Sequence, residues 1–236
     1  AGSLERFDYW LNTYRCMRAM AEVGDARGRL NDVVKALAGE KDEATRKDLA
    51  QKALPVRLAL ARAWERMITF QIAATDTPGE LGTIANLEQH NRRHQKYVDG
   101  HDAALEKALG APLPAEARLA PAYAGPARIL VPTVRTHAEP GESLSLKVAI
   151  LTPGAGTDDA GAPSGVLFWR AMGSGDFAKV PLRHVARRVY EVRLPAAPAG
   201  EAAIEYYIES EAGGATLRWP ASAPALCQTV VVSAVR

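Results

Sequence analysis

The stretch Ala111-Pro112-Leu113-Pro114-Ala115-Glu116-Ala117-Arg118-Leu119-Ala120-Pro121-Ala122-Tyr123-Ala124-Gly125-Pro126-Ala127 separates two parts of the chain that obey different periodicities. Its prolines hold φ at about −65° and lack an N–H, so the segment reads as a stiff, extended connector. Before it, apolar residues recur every three or four positions; after it, every second. That change predicts an α+β, multidomain chain, helical over residues 1–110 and β-rich over 128–236, joined at 111–127.

Upstream, Ser3 reads as a helix N-cap with Glu5 in the first turn. Leu4, Phe7, Leu11, Tyr14, Ala21 and Gly28 then follow at helical spacing, with Trp10, Met17 and Gly24 as a flanking row. Together they read as the inward stripe of a long helix that continues through Leu30, Val33, Val34 and Leu37 to a stop at Gly39. A second helix is expected over 42–74, with Leu49, Leu54, Leu58, Ala61, Met67 and Ile68 inward. Pro55 should kink or divide it. Trp10 and Trp64 should face each other across this antiparallel hairpin. Thr77-Pro78-Gly79 ends the second helix, and a third stretch covers 80–109 with weak points at Gly82 and Gly100.

Downstream, alternation marks strands over 128–134, 143–151, 166–172, 177–181, 189–194, 203–211, 217–219 and 229–234. Short strands between Gly/Pro-rich turns predict an immunoglobulin- or fibronectin-III-like β-sandwich. Residues 154–165 read as a long polar loop.

With 29 basic and 27 acidic side chains, the charge balance supplies no field that would draw nucleic acid. No apolar run approaches the ~20 residues of a membrane-spanning helix. The two cysteines, Cys16 and Cys227, fall one in each half, so neither half holds an internal disulfide. Two buried free thiols are expected ahead of a bridge between them.

No P-loop, dinucleotide fingerprint or G-x-S-x-G elbow occurs, and no cofactor or catalytic residue is implied within the chain. His90 and His94, four apart, form a weak half-site for a metal, with Glu88 and His101 nearby. The alternative is a solvated helix face carrying Arg92, Arg93 and Lys96. Sugar rings stack on exposed indoles, which makes Trp219 and Trp169 the candidate glycan contacts. Trp169 alternates with Leu167, where a core indole belongs, and Trp219 is the better candidate for an open platform. Arg183, His184, Arg187, Arg188 and Arg193 cluster about a hairpin, where basic residues commonly serve solvation and edge protection.

Three stretches carry a resemblance: Phe7-Asp8-Tyr9-Trp10-Leu11-Asn12-Thr13-Tyr14-Arg15, the segment from Thr77-Pro78-Gly79-Glu80 to Leu87-Glu88-Gln89-His90, and the β-rich tail. Together they resemble the C-terminal region of large bacterial glycoside-hydrolase-like proteins, in which a catalytic barrel precedes a helical domain and a β-sandwich. The resemblance implies a secreted or periplasmic, non-catalytic accessory region that docks to and supports a barrel domain of the same parent protein or complex. A polysaccharide would be a further partner. Glu80, Asn86, Glu88 and His90 would then border the barrel's cleft, or the 77–90 turn would simply dock helices to it. The competing readings are an independent glycan- or protein-binding module, and an oligomerisation domain acting through Leu4, Phe7 and Leu11.

Overall fold

The computed structural model describes residues 4–120, 122–123, 125–154, 161–212 and 214–234, with the backbone alone for Leu4 and Glu5. The expected Ser3 cap, the Leu4 side chain and half of the 154–165 loop, residues 155–160, lie outside the described residues. The chain divides into two compact units, Ala1–Thr75 with Gly79–Pro121, and Asp76–Pro78 with Ala122–Arg236. It is an α+β protein, with helices in the first unit and sheets in the second.

In the first unit, α1 (Leu4–Gly39) and α2 (Glu43–Ala73) pack along their length as a hairpin. Asp42 caps α2 by accepting the Thr45 N–H at 2.8 Å. The helix runs through Pro55 as one element, so the proline does not divide it. The buried seam of α1 is Cys16, Ala19, Val23, Ala26, Leu30 and Leu37. Opposite it, α2 buries Ala50, Ala53, Leu60, Ala63, Trp64 and Met67. Alanine on both seams lets the helices approach closely, while each fully buried Leu contributes about 1.5–3 kcal/mol.

This seam corrects the expected inward stripe. Phe7, Trp10, Tyr14 and Met17 are exposed, and so are Ala21, Gly24 and Gly28. Phe7 and Cys16 are nine residues apart, about two and a half turns, so the two rows lie on opposite sides of the helix. Trp10 therefore does not face Trp64; it is 56% exposed, whereas Trp64 is 2% exposed. Gly24 and Gly28 each cost about 1 kcal/mol relative to alanine in a helix interior. Among the described residues a Cβ at either would meet nothing within 4 Å.

The expected third helix breaks into pieces. It becomes α3 (Pro78–Asn86), a π-helical stretch Leu87–His94, a turn, and α4 (Asp102–Leu109), which ends at Gly110 in the left-handed region, φ 71°. The connector's first part also departs from the expected extended form. Leu113 and Ala117 are buried in the helical core about a short 3-10 turn, Ala115–Ala117, and the Ala120 N–H donates to Glu65 Oε1 at 2.8 Å.

Among the described residues the second unit holds ten strands: β1 (Arg128–Leu130), β2 (His137–Ala138), β3 (Leu144–Leu151), β4 (Gly165–Ala171), β5 (Ala178–Pro181), β6 (Arg183–Ala186), β7 (Val189–Leu194), β8 (Ala203–Ala212), β9 (Ala215–Trp219) and β10 (Gln228–Val232). One sheet runs β1-β3-β7-β6. The other runs β2-β10-β8-β4-β5, with β9 also paired to β8. All pairs are antiparallel except β2 with β10. Leu144, Leu146, Val148 and Ile150 alternate inward on β3 and meet Ile204, Tyr206 and Ile208 of β8 in one apolar cluster.

Candidate functional site

The 77–90 segment is held by its acids. Pro78 opens α3 and places Glu80 in the first turn, where a carboxylate suits the helix dipole. Glu80 Oε1 accepts the Tyr9 hydroxyl of α1 at 3.0 Å. Glu88 Oε1 accepts the indole N–H of Trp64 at 3.0 Å, and its other oxygen pairs with Arg92 at 2.6 Å. A buried indole needs an acceptor for its single donor, and Glu88 supplies it. The Trp64 ring lies 6.0 Å from Tyr97, which is covered in turn by the Arg27 guanidinium of α1 at 3.3 Å.

Asn86, Gln89 and His90 are exposed. His90 and His94 stack with ring centroids 5.7 Å apart, and His90 Nε2 lies 3.1 Å from Gln95 Nε2. His101 is committed to α1, 2.6 Å from Asn31 Oδ1. Among the described residues no group of three or more His, Cys, Asp or Glu is placed to hold a metal ion.

The residue that sequence reasoning missed is Arg57. It sits in the buried row Ala50, Ala53, Arg57, Leu60, Trp64, Met67, the one charge at an otherwise apolar spacing of three and four. Its guanidinium grips Asp102 at the start of α4 by two hydrogen bonds, Nε to Oδ1 at 2.6 Å and a terminal nitrogen to Oδ2 at 2.9 Å. A lone charge in an apolar heptad row was the available signal.

In the β unit both tryptophans turn toward the interior. Trp169 and Trp219 are half-buried against the core cluster, and Trp219 lies 5.9 Å from the Tyr206 ring. The outer face of β4 and β8 instead carries Phe168 stacked on Tyr207 at 4.6 Å, with Phe177 edge-on at 5.1 Å. Arg170 covers Phe177 at 4.2 Å and pairs with Glu205 at 2.7 Å. Within the basic cluster, Arg183 pairs with Glu191. His184 Nε2 lies 2.9 Å from the carbonyl of Arg187, which holds the turn at φ 56°. Both cysteines are free; Cys16 is buried, its thiol pushed up by desolvation, and Cys227 is half-buried. No described helix is long and apolar enough to cross a membrane.

No family model and no curated protein matches the chain. Among solved structures it is similar to a superoxide reductase (neelaredoxin) from Ignicoccus hospitalis, at 13% identity over 45% of this chain and 80% of that one, TM-score 0.30. It is also similar to an engineered protein, at 12% identity over 56% of this chain and 28% of that one, TM-score 0.34. An endo-β-1,4-mannanase from Thermotoga petrophila matches at 9% identity over 47% of this chain and 20% of that enzyme, TM-score 0.32. Likenesses this weak decide neither the fold nor the activity.

Proposed function

We propose that the chain is a non-catalytic accessory region of a carbohydrate-active enzyme, docking to a catalytic domain that lies outside it. The observation that carries this reading is the use made of the two acids in the 77–90 segment. Glycoside hydrolysis needs two opposed carboxylates free to meet one bond. Glu80 and Glu88 are spent as acceptors for Tyr9 and Trp64, which makes them ties between helices. The segment is thereby braced, and the side chains it exposes include the polar Asn86, Gln89 and His90. That suits a rigid turn seated against a neighbouring domain.

In the same proposal the β unit is an immunoglobulin-like sandwich and serves as a cap. The order β1-β3-β7-β6 opposite β10-β8-β4 parallels strands A, B, E, D opposite G, F, C of that fold. The helical unit is a small bundle with α4 laid on the α1/α2 hairpin.

The test is a hydrolysis assay on a panel of polysaccharides with the chain alone and with Glu80→Gln and Glu88→Gln. No turnover is expected from any of them, together with a lower thermal midpoint for the variants. Robust hydrolysis by the chain that either substitution abolishes would overturn the proposal.

A further inference from the structure

The outer row of α1 is a second apolar seam with no counterpart in the packing of the hairpin. Phe7, Trp10, Tyr14 and Met17 are 68%, 56%, 63% and 60% exposed, and their spacing of three and four is that of a coiled-coil seam. The same row continues as Ala21, Gly24 and Gly28. One helix face is thus graded along its length, bulky toward the N-terminus and bare backbone toward the middle. Trp10 rests against Tyr9 and Tyr14, at 5.4 and 6.3 Å between ring centroids, so the bulky part is a continuous surface.

We propose that this row pairs with itself, so that two copies of the chain associate through antiparallel α1 helices. Antiparallel pairing sets Trp10 against Gly28 of the other copy, Tyr14 against Gly24 and Met17 against Ala21. Each layer then holds one large and one small residue, as interdigitated packing requires. Parallel pairing would stack ring on ring at one end and leave glycine facing glycine at the other. The two glycines are costly within α1 and touch nothing there, and close approach of a second helix gives them a purpose.

Charge agrees with this choice. Arg18 and Asp25 flank one side of the row, seven residues apart. Each is in an i,i+4 ion pair of its own helix, with Glu22 and Arg29. In this register Arg18 of each copy lies about five residues along the axis from Asp25 of the other, within reach of an extended arginine, at two symmetric places. Area agrees too: the four large side chains with Met20 expose on the order of 600 Å². A twofold pair would bury about 1,200 Å² in total, which reaches the range of specific interfaces. The row faces away from the Cys16–Leu37 seam, so pairing leaves the hairpin core undisturbed. The row shares no residue with the 77–90 turn, so the dimer and the docking reading are tested by different substitutions.

Sedimentation velocity of the full chain between about 1 and 100 μM tests the proposal at affinities usual for transient interfaces of this size. A reversible monomer–dimer equilibrium is expected. Trp10→Ala should weaken it at least tenfold. A Gly24→Leu/Gly28→Leu variant should abolish it while raising the thermal midpoint of the monomer, because leucine is the better helix former. That last pair of signs separates a blocked interface from a misfolded chain. A spin label at Asp8→Cys, in a Cys227→Ser background, should report an inter-copy distance of roughly 30 Å. A monomer throughout the range, a dimer indifferent to the leucines, or a label distance of about 10 Å, as parallel helices would give, each overturns the proposal.

Discussion

Asp102→Ala is the perturbation whose cost follows most directly from the geometry. The Arg57 side chain is 2% exposed and that of Asp102 25%. Two charge-assisted hydrogen bonds, at 2.6 and 2.9 Å, satisfy the guanidinium, and its remaining terminal nitrogen already lacks a partner. Removing the carboxylate leaves a full charge in an alanine- and leucine-lined seam. Breaking such a pair costs about 3–5 kcal/mol, and the partial exposure of Asp102 places the loss near about 3. With a urea m-value of about 1–3 kcal/mol per molar, the midpoint falls by roughly 1–3 M. Helix ellipticity followed through urea reports the helical unit selectively, since the other unit is built of strands. An Arg57→Met/Asp102→Leu double variant should recover most of the loss, because hydrophobic isosteres do without the desolvation of the pair. A loss below about 1 kcal/mol in the single variant, or a double variant worse than the single, would refute the account.

Tyr206 carries a hydroxyl buried in the β core with no hydrogen-bond partner, and its ionisation is pushed well above the usual tyrosine range by desolvation. Tyr206→Phe should therefore stabilise the β unit by about 1–2 kcal/mol, read as a higher thermal midpoint by near-ultraviolet circular dichroism; a lower midpoint would contradict it. Acid should also weaken the fold. Hydrogen bonds from Arg66 hold Glu22, from Thr45 hold Asp42, and from Arg135 hold Glu142 below their ordinary carboxylate values. A carboxyl lowered in the folded state stabilises above its unfolded value and loses that contribution as pH falls through the folded one. Urea midpoints should be flat near neutrality and decline below about pH 4.5, less steeply in Glu22→Gln/Glu142→Gln; an identical slope would dispose of the linkage.

The divide between helices and strands was legible because the two periodicities differ and proline marks the change. The inward face of α1 was not. Its two rows satisfy the same spacing, and periodicity cannot rank them. Aromatic bulk favoured the row of Phe7 and Tyr14, while the row that is buried is built of Cys16, Ala19, Val23 and Ala26, individually weak hydrophobes that suit a close helix pair. Arg57 was not singled out, because charged residues are mostly exposed. Two strands escaped detection for local reasons: β2 has two residues, and all four residues of β6 are exposed, so neither shows alternation. Glu80 and Glu88 were legible as positions of interest; that they answer to Tyr9 and Trp64 depends on contacts 71 and 24 residues away in sequence.

The parallel pairing of β10 with β2 joins Val231 and Val232 to His137 and Ala138, at opposite ends of the β unit's sequence. A ribosome releases residue 137 long before residue 231, so this ladder cannot close until nearly all of the unit has emerged. The helical hairpin, whose two members follow one another directly, has no such wait. Nascent chains should therefore carry a finished helical half while Ile204 and Tyr206 of β8 still lack β10 along their edge. Proteases and chaperones would meet the two halves at different stages of completion, with the later half the vulnerable one.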